Sequence, residues 1–459
     1  MKPPPPRYID LLAHLERARA AGVDLGLERT RAVLDRVGNP QRGITTVHIA
    51  GTNGKGSTAA MTDAILRAAG LRTGLYTSPH LSRFTERIRV DGREADGDLL
   101  AALEPRIAAT GIPLTYFEIA TVLAFLTFAE MGVDVVVAET GLGGRLDATT
   151  TCEPVATAIT SIAFDHAELL GATLAKIARE KAGIAKAGVP LFLAPVAPEA
   201  DGAIASVAAA VGAPLRRLGT DFALPDASSV GLWGAHQRTN AALAVALAQT
   251  AAAACRGTSA GGALQTQAIE TGLRDVVWPG RLEWVAQDVL LDCAHNIEGA
   301  VALAETLDRM PERRPRALVF SAVAGKPVAA MLRILAPRFD GIFLTCSSNP
   351  RSLSTEVLMN MLAESVRAAR DVGDVRKVSD PASAVDLVAL MSKTQAIEDP
   401  VAALVAARES FAKSFDTSFG QSGLVVAAGS TFLIGDLRAS LRGEWRDPIL
   451  TSDPVSRGI

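Results

Sequence analysis

The chain has 459 residues, 49% hydrophobic and 21% charged, with a formal net charge of −3. That length is too great for one hydrophobic core and fits two or three domains, and the balance is that of a globular chain. The weak net charge excludes a basic footprint for a nucleic-acid backbone, so any anionic ligand must be held by a local site.

The cysteines, Cys152, Cys255, Cys293 and Cys346, are scattered without CxxC or metal-ligand spacing. They read as reduced thiols of a cytoplasmic protein. The N-terminal MKPPPPRYIDLLAHLERARA is a proline run and then an amphipathic, charged helix, not the uninterrupted apolar stretch of a signal peptide. The most apolar segment, 241–254, is alanine-dominated and far short of a bilayer span, so no membrane partner is expected.

From residue 45 to 195, short β-branched runs alternate with helical patterns. Buried strands are predicted at 45–50, 72–77, 133–139, 155–162 and 189–195, with helices at 57–69, 97–108, 117–131 and 173–186. Continuous apolar strands alternating with helices imply a parallel sheet covered on both faces. The weaker pattern over 197–232 predicts a β-rich extension of this domain. WPGRLEW (278–284), with its Pro-Gly turn, predicts a hinge about which two halves close over a nucleotide. A second alternation follows, with strands expected at 289–296, 316–322, 341–347 and 423–430. The stretch 391–422 gives no readable pattern. The expected fold is therefore α/β: a phosphate-loop ATPase domain with a mostly parallel sheet over 1–280, then a Rossmann-like α/β domain over 284–459.

The strongest motif is HIAGTNGKGSTAAM (48–61), where a strand ends in a glycine-rich turn that opens into a helix. Glycines let the backbone approach a polyphosphate, and the helix start points free N–H groups and a positive dipole at it. Asn53, Gly54, Lys55, Gly56 and Ser57 are the expected ATP contacts. Lys55 supplies a point charge for the outer phosphates, and the Ser57 hydroxyl is placed to meet a metal ion. The common phosphate loop has Ser or Thr directly after the lysine, whereas Gly56 intervenes here.

GTNGKGS resembles the phosphate loop of the Mur ligase superfamily. TSPHLSRFTERIRVDG (77–92), ETGLGGRLDATT (139–150), AREKAGIAKAGVP (178–190), GAHQRTNAALAVAL (234–247), PGRLE (279–283), LDCAHN (291–296) and GLVVAAGSTFLIGDL (423–437) together resemble its folylpolyglutamate synthase and dihydrofolate synthase members. The chain departs from that pattern at AFDHAELLGAT (163–173), which lacks a tryptophan, at Cys293 and Ile297, and at SAVAGKPV (321–328), where only Lys326 remains of an Asp-Lys-Asp element.

The resemblance implies an ATP-dependent carbon–nitrogen ligase. The γ-phosphoryl group passes to a carboxylate of dihydropteroate or a reduced folate, and L-glutamate attacks the acyl phosphate. It further implies two Mg2+ sites and admits K+. Ser57, Ser78, Glu139, His166 and Lys181 are the implied metal ligands, with Lys181 carbamylated by carbon dioxide. Glu139 also fits on its own terms, as a carboxylate at the crevice end of an apolar strand. Lys55, Lys181 and His295 are the implied catalytic groups. Asn240 is expected to read adenine, Arg281 to clamp phosphate and Asp292 to accept from the ribose. Asp24, Leu25, Phe117, Glu118 and Leu146 are the pterin candidates, although Phe117 and Leu146 serve equally well as core residues. His48 reads as packing behind the phosphate loop. The expected partners are small molecules, and the chain is expected to act as a monomer. Two other readings stand beside this one: a cell-wall precursor ligase, disfavoured by GLGGRLDAT and TSPHL, and a non-catalytic nucleotide-binding regulator.

Overall fold

Nearly unbroken runs of β-branched residues, such as Thr45–Ala50 and Val135–Glu139, leave no polar face for water and therefore form interior strands. The computed structural model describes residues 4–20, 22, 24–226, 230–255, 264–310, 315–371, 391–412 and 423–448. Two compact units separate. One comprises residues up to Leu232, His236–Trp278 and the chain from Asp447, and the other comprises Trp233–Ala235 and Pro279–Arg446.

The first unit holds an eight-stranded sheet: β1 (Thr45–Ala50), β2 (Thr73–Tyr76), β3 (Ile88–Val90), β4 (Arg93–Glu94), β5 (Val135–Glu139), β6 (Pro154–Ile159), β7 (Leu191–Leu193) and β8 (Leu215–Arg217). The order is β4-β3-β2-β5-β1-β6-β7-β8. All neighbours are parallel except β2–β3 and β3–β4. The chain winds outward from β1, returns to β5 and then crosses to β6, so the connection reverses at β1. A crevice forms at such a switch point, outside the carboxyl ends of the strands. The register sets Ile49 beside Glu139 and Ala50 beside Ile159, which brings three strand ends together there.

The helix Lys55–Ala68 packs its buried Met61 and Ile65 into a core shared with Val47, Val137 and Leu243 and Leu247 of the helix His236–Ala254. The helix Thr266–Asp275 approaches so closely that a Cβ on Gly272 would lie 2.4 Å from the Ile65 Cα. The helix Tyr116–Glu130 starts with a capping box in which the Glu118 carboxylate accepts from the Thr115 N–H at 2.8 Å. A cap of this kind stabilises a helix by about 1 kcal/mol.

The expected β-rich extension over 197–232 is instead led by the helix Pro198–Val211, followed by the three residues of β8. Proline at its first turn starts that helix, Gly212 at φ 74° ends it, and Ala200, Ala203, Ile204 and Ala208 bury one face. Alanine disguised the helical period because it contributes little contrast between faces.

In the second unit, β9 (Glu283–Ala286), β10 (Val289–Leu291), β11 (Arg316–Phe320), β12 (Gly341–Leu344), β13 (Thr394–Ala396) and β14 (Leu424–Ala428) form a sheet in the order β13-β12-β11-β14-β10-β9. It is parallel apart from the β9–β10 pair. Leu290, Leu318, Phe320 and Val426 anchor its core against Leu303, Leu307 and Met331. Of the stretch without a readable pattern, 391–412 holds β13 and the helix Pro400–Ala412, and 413–422 lies outside the described residues. Among the described residues no helix is long and apolar enough to cross a membrane.

Candidate active site

The loop Gly51–Gly54 leaves β1 at the switch point and is gripped by the segment that follows β6. The Thr52 N–H donates to the Ser161 carbonyl at 2.9 Å, and the Asn53 N–H donates to the Ser161 hydroxyl at 2.9 Å. The Thr160 hydroxyl donates to the Asn53 carbonyl at 2.6 Å. Thr52 Oγ1 accepts from the Ala163 N–H at 3.0 Å. Gly54 sits at φ 88°, and a Cβ there would lie 2.4 Å from Asn240 Oδ1, so conformation and space both demand glycine. Gly56 is explained in the same way: its missing Cβ leaves room for the Trp278 indole nitrogen, 3.0 Å from where that atom would be.

This loop collects the charged groups. Lys55 Nζ donates to the Thr52 carbonyl at 3.3 Å and lies 3.8 Å from Glu139 Oε1. The Glu139 carboxylate, buried at the end of β5, accepts from the Ser78 N–H at 3.2 Å. Ser57 is buried in the first turn of the helix that Lys55 begins. Lys181, in the helix Leu174–Ala182, is only 5% exposed, and its Nζ donates to the Gly51 carbonyl at 2.9 Å. Burial, helped by the nearby Lys55 cation, pushes the Lys181 amine down to about 7. His166 stands half-exposed after β6 at φ 51°, beside Asp165 and Glu168.

Two profiles match this chain: the Mur ligase middle domain over residues 49–190 and the Mur ligase glutamate ligase domain over residues 280–398. The dihydrofolate synthase/folylpolyglutamate synthase of Bacillus subtilis is 34% identical over 95% of this chain and 99% of its own length. The chain belongs to the folylpolyglutamate synthase and dihydrofolate synthase family of Mur ligases. Among solved structures, the Mycobacterium tuberculosis folylpolyglutamate synthase complexed with ADP and AMPPCP superposes with a TM-score of 0.80 at 29% identity, covering 95% of this chain and 99% of that one. The bifunctional synthase of Yersinia pestis complexed with AMPPNP and Mn ion gives 0.78 at 30% identity, over 96% and 100% of the two chains. The family is one of ATP-dependent ligases, and the α/β architecture described above is that of its members.

Against that background, the remaining candidates fall in several places. Asn240 is buried against Gly54 and donates to Gln237 Oε1 at 2.9 Å. Phe117 is half-buried, with its ring over Gly141, where a Cβ would approach to 2.3 Å, and 6.0 Å from the Tyr76 ring. Leu146 is half-buried. Glu118 is occupied structurally: besides the helix cap, its carboxylate accepts from the Thr30 hydroxyl at 3.2 Å and pairs with Arg29 at 3.2 Å. Asp24 is exposed and also pairs with Arg29, and Leu25 is 42% exposed.

In the second unit, Asp292 accepts from the Leu282 and Ala294 N–H groups, both at 2.9 Å. Arg281 Nη1 donates to the Gly280 carbonyl at 3.3 Å, and its charge acts on Asp292. His295 Nδ1 lies 2.9 Å from the Cys293 carbonyl. Asn296 caps the helix Ile297–Asp308.

Several residues that shape the site have no expected role in the sequence. Asp147 is buried and ties down the turn after Glu139, its Oδ2 accepting from the N–H groups of Gly141 and Leu142 at 2.9 Å. The short polar spacing Asp-Ala-Thr inside a glycine-rich stretch was the available signal, because such an Asp turns the backbone back on itself. Thr160, Ser161 and Trp278 gave no comparable signal, since they act across the fold. Among the described residues, no group of three His, Cys, Asp or Glu side chains forms a ready metal cage.

Proposed function

We propose that this chain joins L-glutamate to the carboxylate of dihydropteroate or a reduced folate, with ATP as the activating co-substrate. The observation that carries the reading is the Lys55 ammonium held 3.8 Å from the buried Glu139 at the end of the phosphate loop. A carboxylate is a poor electrophile. Attack of its oxygen on the γ-phosphorus, with ADP leaving, makes an acyl phosphate; the glutamate amine then attacks the acyl carbon and inorganic phosphate leaves. The protein's work is alignment and charge neutralisation. Lys55 supplies positive charge to the outer phosphates, and the N–H groups of the helix it begins face the same anion. The relatives' names support both glutamyl acceptors.

The donor set fits magnesium. Glu139 is a buried hard oxygen donor that accepts from the Ser78 N–H, Ser57 lies in the first turn of the helix that Lys55 begins, and His166 follows β6. Magnesium keeps several waters and takes substrate phosphates alongside one or two carboxylates, so the lack of an all-protein cage suits it. Bound there, it would offset the charge of the transferring phosphoryl group.

Lys181 acts in this proposal as a carbamate. Its amine, pushed to about 7, is substantially neutral at physiological pH and can attack the carbon of CO2, releasing a proton and leaving one negative charge. That exchange would remove the repulsion between the buried Lys181 and the half-buried Lys55 and would add an oxygen donor for a second metal ion. K+ remains part of the proposal through the family resemblance alone. The four free thiols, buried or half-buried, suit a monomer working in the reducing cytoplasm. ADP release with each substrate omitted in turn tests the ligase reading: it should require ATP, L-glutamate and a pterin carboxylate together. Steady ADP release without the pterin would overturn it and favour the regulator.

A further inference from the structure

His48 lies in the middle of β1 and is fully buried, with Nε2 2.8 Å from Thr149 Oγ1. Thr149 Oγ1 lies 2.5 Å from Asp147 Oδ1, which also accepts the Thr149 N–H at 3.0 Å. The other Asp147 oxygen holds the N–H groups of Gly141 and Leu142. A chain of polar contacts therefore runs from the strand that feeds the phosphate loop to the turn after Glu139, against which the Phe117 ring packs.

The direction of the protons along this chain follows from satisfaction of the buried groups. Asp147 meets three N–H donors and one hydroxyl, an environment that suits an acceptor-only carboxylate. The Thr149 hydroxyl then donates to Asp147 and must accept from His48, which fixes the imidazole proton on Nε2. His48 Nδ1 is left as a buried lone pair with no hydrogen-bond partner among the described residues. The reverse arrangement, with a proton on Nδ1, would bury an unsatisfied donor, which proteins tolerate less than an unsatisfied acceptor. Burial also pushes the imidazole down to about 3, so it stays neutral.

We propose that His48 is a positioning residue: through Thr149 it fixes Asp147 as the acceptor that closes the Gly141–Leu142 turn, and so sets the wall that receives the pterin carboxylate substrate. The inference rests on the ligase reading above. It touches no reacting atom. Its effect is to hold the turn in one arrangement before the substrate arrives, so its loss falls on substrate affinity rather than on phosphoryl transfer.

The test uses full-length enzyme and two pairs of variants. His48→Met removes the donor while keeping an apolar side chain of similar bulk, and His48→Gln replaces the donor near Nε2. Thr149→Val removes the hydroxyl, and Thr149→Ser keeps it. His48→Met and Thr149→Val should each raise KM for the pterin substrate about tenfold, with kcat and KM for ATP within about twofold. His48→Gln and Thr149→Ser should stay close to wild type. The double variant His48→Met/Thr149→Val should be no worse than either single one, because both break the same chain.

Additive losses in the double variant, or equal impairment of Gln and Met at 48, would overturn the proposal. So would parallel loss of kcat and both KM values. If His48→Met does not fold, the Val and Ser variants at 149 decide by the same KM criterion. A wild-type enzyme that makes no glutamylated product overturns the ligase reading itself and this proposal with it; wild-type ligation without the predicted KM pattern overturns the positioning role alone.

Discussion

The two units each end a buried parallel strand in a polar loop, yet they hold those loops by opposite means. After β1, the backbone of Gly51–Gly54 is gripped from outside by Thr160 and Ser161. The loop's own Lys55, besides donating to the Thr52 carbonyl, is left to meet Glu139, and Lys181 reaches Gly51 from another helix. After β10, the motif residues grip themselves: Asp292 binds the Leu282 and Ala294 N–H groups, and Asn296 caps the next helix. Where neighbours hold the backbone, a motif side chain is available for chemistry. Where a motif side chain holds its own backbone, losing it is felt first as lost stability.

Substitutions can break that contrast. Lys55→Ala should have the largest effect, a fall of at least about a thousandfold in product formation with little change in melting. Near-normal turnover would remove the phosphate loop from the account. Lys181→Ala should lose about a hundredfold in kcat, with part of the activity restored by acetate. Wild-type enzyme depleted of bicarbonate should recover on return of CO2, and recovery should weaken as pH falls through about 7, where protonation of the amine removes its lone pair. Full activity of the alanine variant in depleted buffer would remove Lys181 from the proposed metal donors and leave Glu139, His166, Ser57 and Ser78.

Gly54→Ala should raise KM for ATP about tenfold, because a side chain at φ 88° is strained and meets Asn240. Asp292→Ala should read differently, as a stability loss of about 1–3 kcal/mol in denaturant titration, since two backbone N–H groups lose their acceptor. An unchanged midpoint, with ATP affinity lost, would make Asp292 a nucleotide ligand first. Asp24→Ala should do least, under about 1 kcal/mol, because its ion pair is exposed and Glu118 keeps Arg29. A large rise in the pterin KM would return Asp24 to the substrate site.

The sequence was most readable where function is local. A strand, a glycine turn and a lysine within one short stretch describe the phosphate loop, and buried β-branched runs mark the sheet. Lys181 was legible only through its EKAGI context, because nothing in a helical lysine announces that it is buried against Gly51. Asp147, Thr149 and His48 were all within quoted motifs, but their connection spans from β1 to a loop about a hundred residues later in the chain. Pattern within a window cannot show a contact of that separation. Glu118 is readable within a window for a different role: a carboxylate three residues after Thr115 closes a capping box at the start of the helix Tyr116–Glu130. The helix at 198–211 was hidden by alanine, whose small side chain weakens the apolar period that identifies a face.

The most direct measurement is mass spectrometry of the products formed from ATP, L-glutamate and, in separate reactions, dihydropteroate and tetrahydrofolate. The account predicts a pterin product longer by one glutamyl residue, formed together with one ADP per bond, from at least one of the two acceptors. ADP without any glutamylated pterin, from either acceptor, would contradict it.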